Sequence, residues 1–379
     1  MKTQQLIQEI FSQPTAPFRE GWVLQKITHI LDQSKVPYFE DDFGNIIAGV
    51  SNVAQARKAK VAFMAHTDHP GFHVVSQKGL QVDALWLGGA PFNTMKGSQV
   101  RIYNPTAPGQ TITGKVTYIS PVRTHHEGIP IKIRLYKKTE LHSACFGAFD
   151  FPGVKFKGDQ IITRAADDLA GVVIALGAII DAKKMKLMGK SIAVLTRAEE
   201  VGFIGCLALM KKKLLSSNTA IVSLEASKTL DGALIGEGPV LRLGDRTTLF
   251  HTDFSNQMWQ VALALAKKTS SFRFQRRIMD GGSCEATALG LYGYITSGMS
   301  VPLGNYHNQG PKGPGPEMIS LRDVERARLF CTELVKHYKG PKQWSKKFQA
   351  LIEKDLKYLK PKLHKPGLAI FDGQLEKNS

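Results

Sequence analysis

Three apolar runs in this 379-residue chain end on residues able to bind metals or move protons: 61–65 at His66-Thr67-Asp68, 191–196 just before Glu199-Glu200, and 219–224 at Glu225. Unbroken apolar runs of this length suit strands buried on both faces, the usual state of parallel strands covered by helices. Open α/β sheets carry their sites beyond the carboxyl ends of such strands. The pattern therefore predicts an α/β fold with a catalytic edge.

Two more segments deliver donors of the same kind. Asp167-Asp168 opens an apolar helix beginning at Leu169, and a Gly/Pro-rich stretch ends at His307. Taken singly, an acid pair is most simply a solvated helix start or cap, and a single histidine a hydrogen-bonded structural residue. Five such groups at successive element ends make a ligand set of His66, Asp167, one or both of Glu199 and Glu200, Glu225 and His307. Imidazole with carboxylate, without thiolate, suits a catalytic site for zinc first, with cobalt or manganese as alternatives. Two histidines and three carboxylates are used most economically by two divalent ions about 3.5–4 Å apart sharing a carboxylate. Asp167 is the expected bridge. The spare acid of the Glu199-Glu200 pair is then free to act as general base, and Asp68 is placed to orient the His66 ring.

The order of elements predicts a mixed, largely parallel sheet flanked by helices, with a small β-barrel inserted. Helical spacing of apolar residues marks 3–12, 20–34, 169–182, 205–213, 255–269 and 321–337, the last capped by Ser320. Between 73 and 160 the texture changes to short β-type runs (99–103, 111–119, 129–136) separated by Gly, Pro and Asn, which reads as an antiparallel barrel. The expected parts are 1–72 and 161–340 for the catalytic domain, 73–160 for the insertion, and 341–379 for a basic helix and tail. His125-His126-Glu127 reads as a surface loop of the insertion.

Composition narrows the function classes. The chain is 43% apolar, and its start lacks the apolar core of a signal peptide. No segment sustains the roughly 18 apolar residues of a membrane span. A cytoplasmic protein is expected. Cys145, Cys206, Cys284 and Cys331 are scattered without a paired spacing, so neither a disulfide framework nor a thiolate knuckle is indicated, and Cys284 is expected nearest the site. The formal charge of +18 favours non-specific attraction to polyanions. No zinc-finger spacing, RNP-like motif or P-loop accompanies it, so no specific nucleic-acid partner is expected. Residues 342–365 hold eight lysines against Glu353 and Asp355, a local charge of +6 that reads most simply as a solvated helix.

Together these motifs resemble the M42 metallo-aminopeptidases, in the clan of co-catalytic zinc exopeptidases that includes the M20 and M28 families. His66-Thr67-Asp68 resembles the family's H-x-D motif, Asp167-Asp168-Leu169-Ala170-Gly171 its D-D/N-R-x-G motif, and Glu199-Glu200-Val201-Gly202 its E-E-V-G motif. Residues 14–20 and 41–48 resemble its substrate-side turn and its D-x-x-G-N strand. The long gap between Asp68 and Asp167 matches the family's inserted domain. The resemblance implies His66 and Glu225 on one metal, Glu200 and His307 on the other, Asp167 between them, and Glu199 as base. It also implies a peptide substrate and a homo-oligomer in which the insertion contacts a neighbour and His125 or His126 can approach that neighbour's site. Leu169 replaces the usual arginine, and Glu225 stands where M42 enzymes generally have aspartate and M20 enzymes glutamate. An M20-like carboxypeptidase or N-acyl amino acid deacylase is thus the alternative within the clan. A basic polyanion-binding protein on a hydrolase scaffold is the alternative of another class.

Overall fold

The structure, a computed structural model, describes residues 1–122 and 128–359, with side chains to residue 354. The segment His125-His126-Glu127 lies outside the described residues. An eight-stranded sheet forms the body, in the order Tyr38–Glu40, Ile46–Ala48, Ser191–Thr196, Val61–His66, Ala220–Lys228, Ile295–Leu303, Val240–Asp245, Gln275–Met279. Its four central strands are mutually parallel, and antiparallel neighbours flank them on both sides. The expected mixed, largely parallel sheet is therefore present. Val61–His66 and Ser191–Thr196 are buried at every position, which is why their sequences show no alternation.

The helix Leu169–Lys184 explains much of the core. Thirteen of its 16 residues are buried, wedged between the sheet and the helices Thr3–Phe11 and Leu321–His337. Asp168 caps its start, accepting the Gly171 N–H at 2.8 Å, and Lys183 and Lys184 complement the dipole at its end. Gly177 leaves room for Arg328, whose guanidinium forms a bidentate pair with Asp181 at 2.7 and 2.8 Å. Ser320 caps the Leu321–His337 helix through the Asp323 N–H.

Six strands between Gly71 and Phe149 close an antiparallel barrel. Its core is aromatic: Trp86 packs against Phe149 and Phe72 with ring centroids 4.8 and 6.0 Å apart, contacts whose truncation costs about 3–5 kcal/mol each. The expected 73–160 segment also contains Lys155–Lys157 and the start of Gln160–Thr163. These strands pair with each other and then with Glu317–Ser320, not with the barrel. Short strands give no sequence signal of which sheet they join.

Candidate metal centre

The site forms where the parallel strands end. His66 is the last residue of its strand, Glu225 lies within Ala220–Lys228, and Asp167 precedes the buried helix beginning at Leu169. Glu199 and Glu200 follow Ser191–Thr196 after a reversal at Ala198, whose φ of 52° is left-handed. His307 also has a left-handed φ, 53°, beside Asn305 and Asn308 in the same region. Such conformations in non-glycine residues persist when surrounding contacts impose them, and they concentrate at functional sites.

All the expected donors converge. The donor atoms of His66, Asp167 and Glu225 lie within 4.8 Å of one another, as do those of Asp167, Glu200 and His307, and those of His66, Glu199 and Glu200. Asp167 belongs to both of the first two groups. Its Oδ1 stands 3.3 Å from His66 Nε2 and its Oδ2 3.6 Å from His307 Nε2. Glu200 Oε1 lies 3.3 Å from His307 Nε2, and Glu199 Oε2 lies 3.9 Å from His66 Nε2.

Electrostatics make this arrangement costly without a cation. Burial disfavours protonation of His66, but Glu199, Asp167 and Asp68 outweigh it and hold the imidazole well above its usual pKa. His307 is raised in the same way, by Glu200 and Asp167 against burial. Burial also lifts Glu199 well above the carboxylate range and Glu225 to about 7, with neighbouring carboxylates adding to both. Buried like charges this close require partners. Asp167 Oδ1 and Glu200 Oε1 are buried without hydrogen bonds. The residues present therefore fit divalent metal ions: unsatisfied carboxylate oxygens and imidazole nitrogens face a common space.

The surroundings hold these groups in place. Asp68 accepts the backbone N–H of Glu199 at 2.9 Å and of Glu200 at 3.1 Å. His66 Nδ1 lies closer to the Asp68 carbonyl, 3.2 Å, than to its carboxylate, 3.5 Å. Asp68 thus orients the glutamates with its side chain and stands by the ring mainly through its backbone. Cys284 lines the same recess as Asp167 and Glu225, and burial pushes its thiol up to about 12. All four cysteines are free and buried.

Several supporting residues are brought to the site only by the fold. Glu317 accepts the N–H groups of Ala166 at 2.6 Å and Asp167 at 3.2 Å, while His69 Nδ1 lies 2.5 Å from the Asp167 carbonyl. Buried Glu20 accepts Arg197 Nε and Nη2 on its Oε2, at 3.0 and 2.8 Å, and the Ala198 N–H on its Oε1. The 14–20 turn is thereby tied to the glutamate loop. Arg242 is buried in the recess beside Glu225. Its strand reads as ordinary β-sequence, and only the fold brings it there.

Known proteins share the fold and much of the sequence span. A curated protein of Acetivibrio thermocellus, provisionally named an aminopeptidase, is 23% identical over 328 residues, covering 83% of this chain and 91% of that protein. Among solved structures, the Pyrococcus horikoshii TET1 peptidase, described as assembling into a tetrahedron or a large octahedral shell, superposes with a TM-score of 0.71 at 20% identity. The alignment covers 88% of this chain and 99% of that one. An aminopeptidase from the archaeon Desulfurococcus kamchatkensis gives 0.68 at 18% identity, covering 89% and 95%. The family described as M42 glutamyl aminopeptidase matches residues 44–329, a span that carries all three donor-bearing strand ends together with Asp167 and His307, and the chain belongs to that family of hydrolytic enzymes.

Proposed function

We propose that the protein removes N-terminal residues from peptides with two divalent metal ions, zinc first and cobalt or manganese as alternatives. His66 and Glu225 would hold one ion, Glu200 and His307 the other, with Asp167 shared. The observation that carries this reading is the disposition of Asp167, whose two oxygens face different histidines. Bound ions supply an acidified water and polarise the scissile carbonyl. Glu199 would take the proton from the attacking water and return it to the leaving amine. Asp68 keeps Glu199 aimed through the backbone. The family match favours aminopeptidase polarity over an M20-like deacylase or carboxypeptidase, despite Glu225, and over a polyanion-binding protein. Neighbours described as a dodecamer and a tetrahedron support a homo-oligomer. No helix among the described residues is long and apolar enough to cross a membrane, which accords with a cytoplasmic enzyme.

A paired assay tests the reading. With zinc, cobalt and manganese each supplied, a free-amine peptide amide is hydrolysed and its N-acetylated form is not. Hydrolysis of only an N-acyl amino acid reverses the polarity, and no turnover of either with any metal removes the function.

A further inference from the structure

The helix Gln343–Leu359 follows the residues matched by the family and takes no part in the metal centre. Its first turn is fastened to the body. Ser345 donates its backbone N–H and its hydroxyl to Asp253 Oδ2 at 3.0 and 2.9 Å, and Gln257 Nε2 donates to the Gly340 carbonyl at 2.9 Å. Farther along, the helix leaves apolar side chains in water: Phe348, Leu351 and Ile352 are 45%, 53% and 51% exposed. Trp344 stacks on Phe348 with centroids 5.1 Å apart. Positions 344, 348, 351 and 352 follow the i, i+4, i+7, i+8 spacing of a single helix face. Lys342, Lys346, Lys347 and Lys354 are exposed around it.

Single exposed apolar residues need no explanation, but a contiguous face of them does. Charge complementarity selects the occupant. A second copy of this face would bring like charge against like, since the helix holds Lys346, Lys347, Lys354 and Lys357 against Glu353 and Asp355 only. A nucleic acid would satisfy the lysines yet leave Leu351 and Ile352 uncovered. An anionic lipid surface satisfies both at once, because an in-plane helix buries its apolar face at the acyl boundary while its lysines meet the headgroups. We propose that this helix docks the protein on anionic membrane surfaces, held rigidly to the catalytic body through Ser345 and Asp253.

Flotation of the full chain tests this, using phosphatidylcholine vesicles with and without phosphatidylserine. The protein floats only with the anionic vesicles, and less as salt rises. Phe348→Ala with Leu351→Ala and Ile352→Ala weakens binding by about tenfold or more. Lys346→Glu with Lys347→Glu weakens it comparably, and peptidase turnover stays at the parent value for both. Flotation of the apolar triple variant equal to the parent's overturns the proposal. It is equally overturned by a triple variant that changes only the oligomer's size, which marks a contact between copies, or by tight RNA retention without flotation, which marks a nucleic-acid contact.

Discussion

Asp68 Oδ1 accepts the backbone N–H of Glu199 at 2.9 Å, so the end of one parallel strand sets the position of the carboxylate that follows its neighbour. Oδ2 does the same for Glu200 at 3.1 Å. An Asp68→Asn variant keeps one acceptor and turns an amide N–H2 toward the other backbone N–H. Turnover is expected to fall about 10–100-fold while bound metal stays within a factor of two or so of the parent. Steady-state kinetics with metal analysis on the same sample checks it, and unchanged kcat removes the positioning role.

Glu199→Gln separates proton transfer from binding. The amide cannot take a proton, so kcat is expected to drop by about 10²–10⁴ with both metal equivalents retained. Near-normal turnover with metal bound would assign the base elsewhere.

The loop after the barrel strand Gln81–Leu87 reaches the site. A Cβ on Gly89, in the loop after the Gln81–Leu87 strand, would lie 2.1 Å from His307 Nδ1. Gly89→Ala therefore has to push the imidazole away from Asp167 and Glu200. Metal affinity is expected to weaken by about 10–100-fold for one equivalent while the other is held. Isothermal titration of the metal-free protein distinguishes this from a general loss of fold, in which both equivalents weaken.

What the sequence made legible follows from where the donors sit. His66, Glu225 and the Glu199-Glu200 pair lie in or next to unbroken apolar strands, and Asp167 precedes an apolar helix, so periodicity and residue type together located them. Glu317 reaches Ala166 and Glu20 reaches Arg197 across about 150 residues or more, pairings that no local pattern announces, and Arg242 enters the recess from a strand that reads as ordinary β-sequence. The same holds for the strand Gln160–Thr163, whose partner is decided by Glu317–Ser320 far along the chain. The Glu199-Glu200 choice was open to ligand chemistry alone. It rests on the family pattern, and the geometry places Glu200, not Glu199, beside His307.

A pH dependence of stability follows from Glu285, buried at the start of the Glu285–Leu291 helix. Burial, which leaves both carboxylate oxygens without a hydrogen-bond partner, pushes its pKa from about 4.5 to about 8, against the charge of His66. Between those values the folded chain holds a proton that the unfolded chain has released. Stability of the metal-free protein therefore falls as pH rises through that window, the full penalty being on the order of 5 kcal/mol. Glu285→Gln removes the term, so its denaturation midpoint is expected to vary less with pH than the parent's and to exceed it above pH 8 or so. Urea titrations at several pH values decide it; parallel profiles would place the ionisation on another group.

Metal stoichiometry gives the sharpest reading of the shared carboxylate. If Asp167 serves both ions, removing either histidine leaves a three-residue remnant only on the other side: Asp167, Glu200 and His307 in His66→Ala, and His66, Asp167 and Glu225 in His307→Ala. Each of these variants is expected to retain about one equivalent, since a site of three protein ligands still suffices for a divalent ion. Asp167→Ala breaks both groups and is expected to retain neither, with a proton release on metal addition correspondingly lost, because the raised His66 and His307 must deprotonate to bind. Elemental analysis after dialysis against zinc reads all three variants. Two equivalents in Asp167→Ala would deny the bridge, and none in either histidine variant would mean that the two ions bind only together.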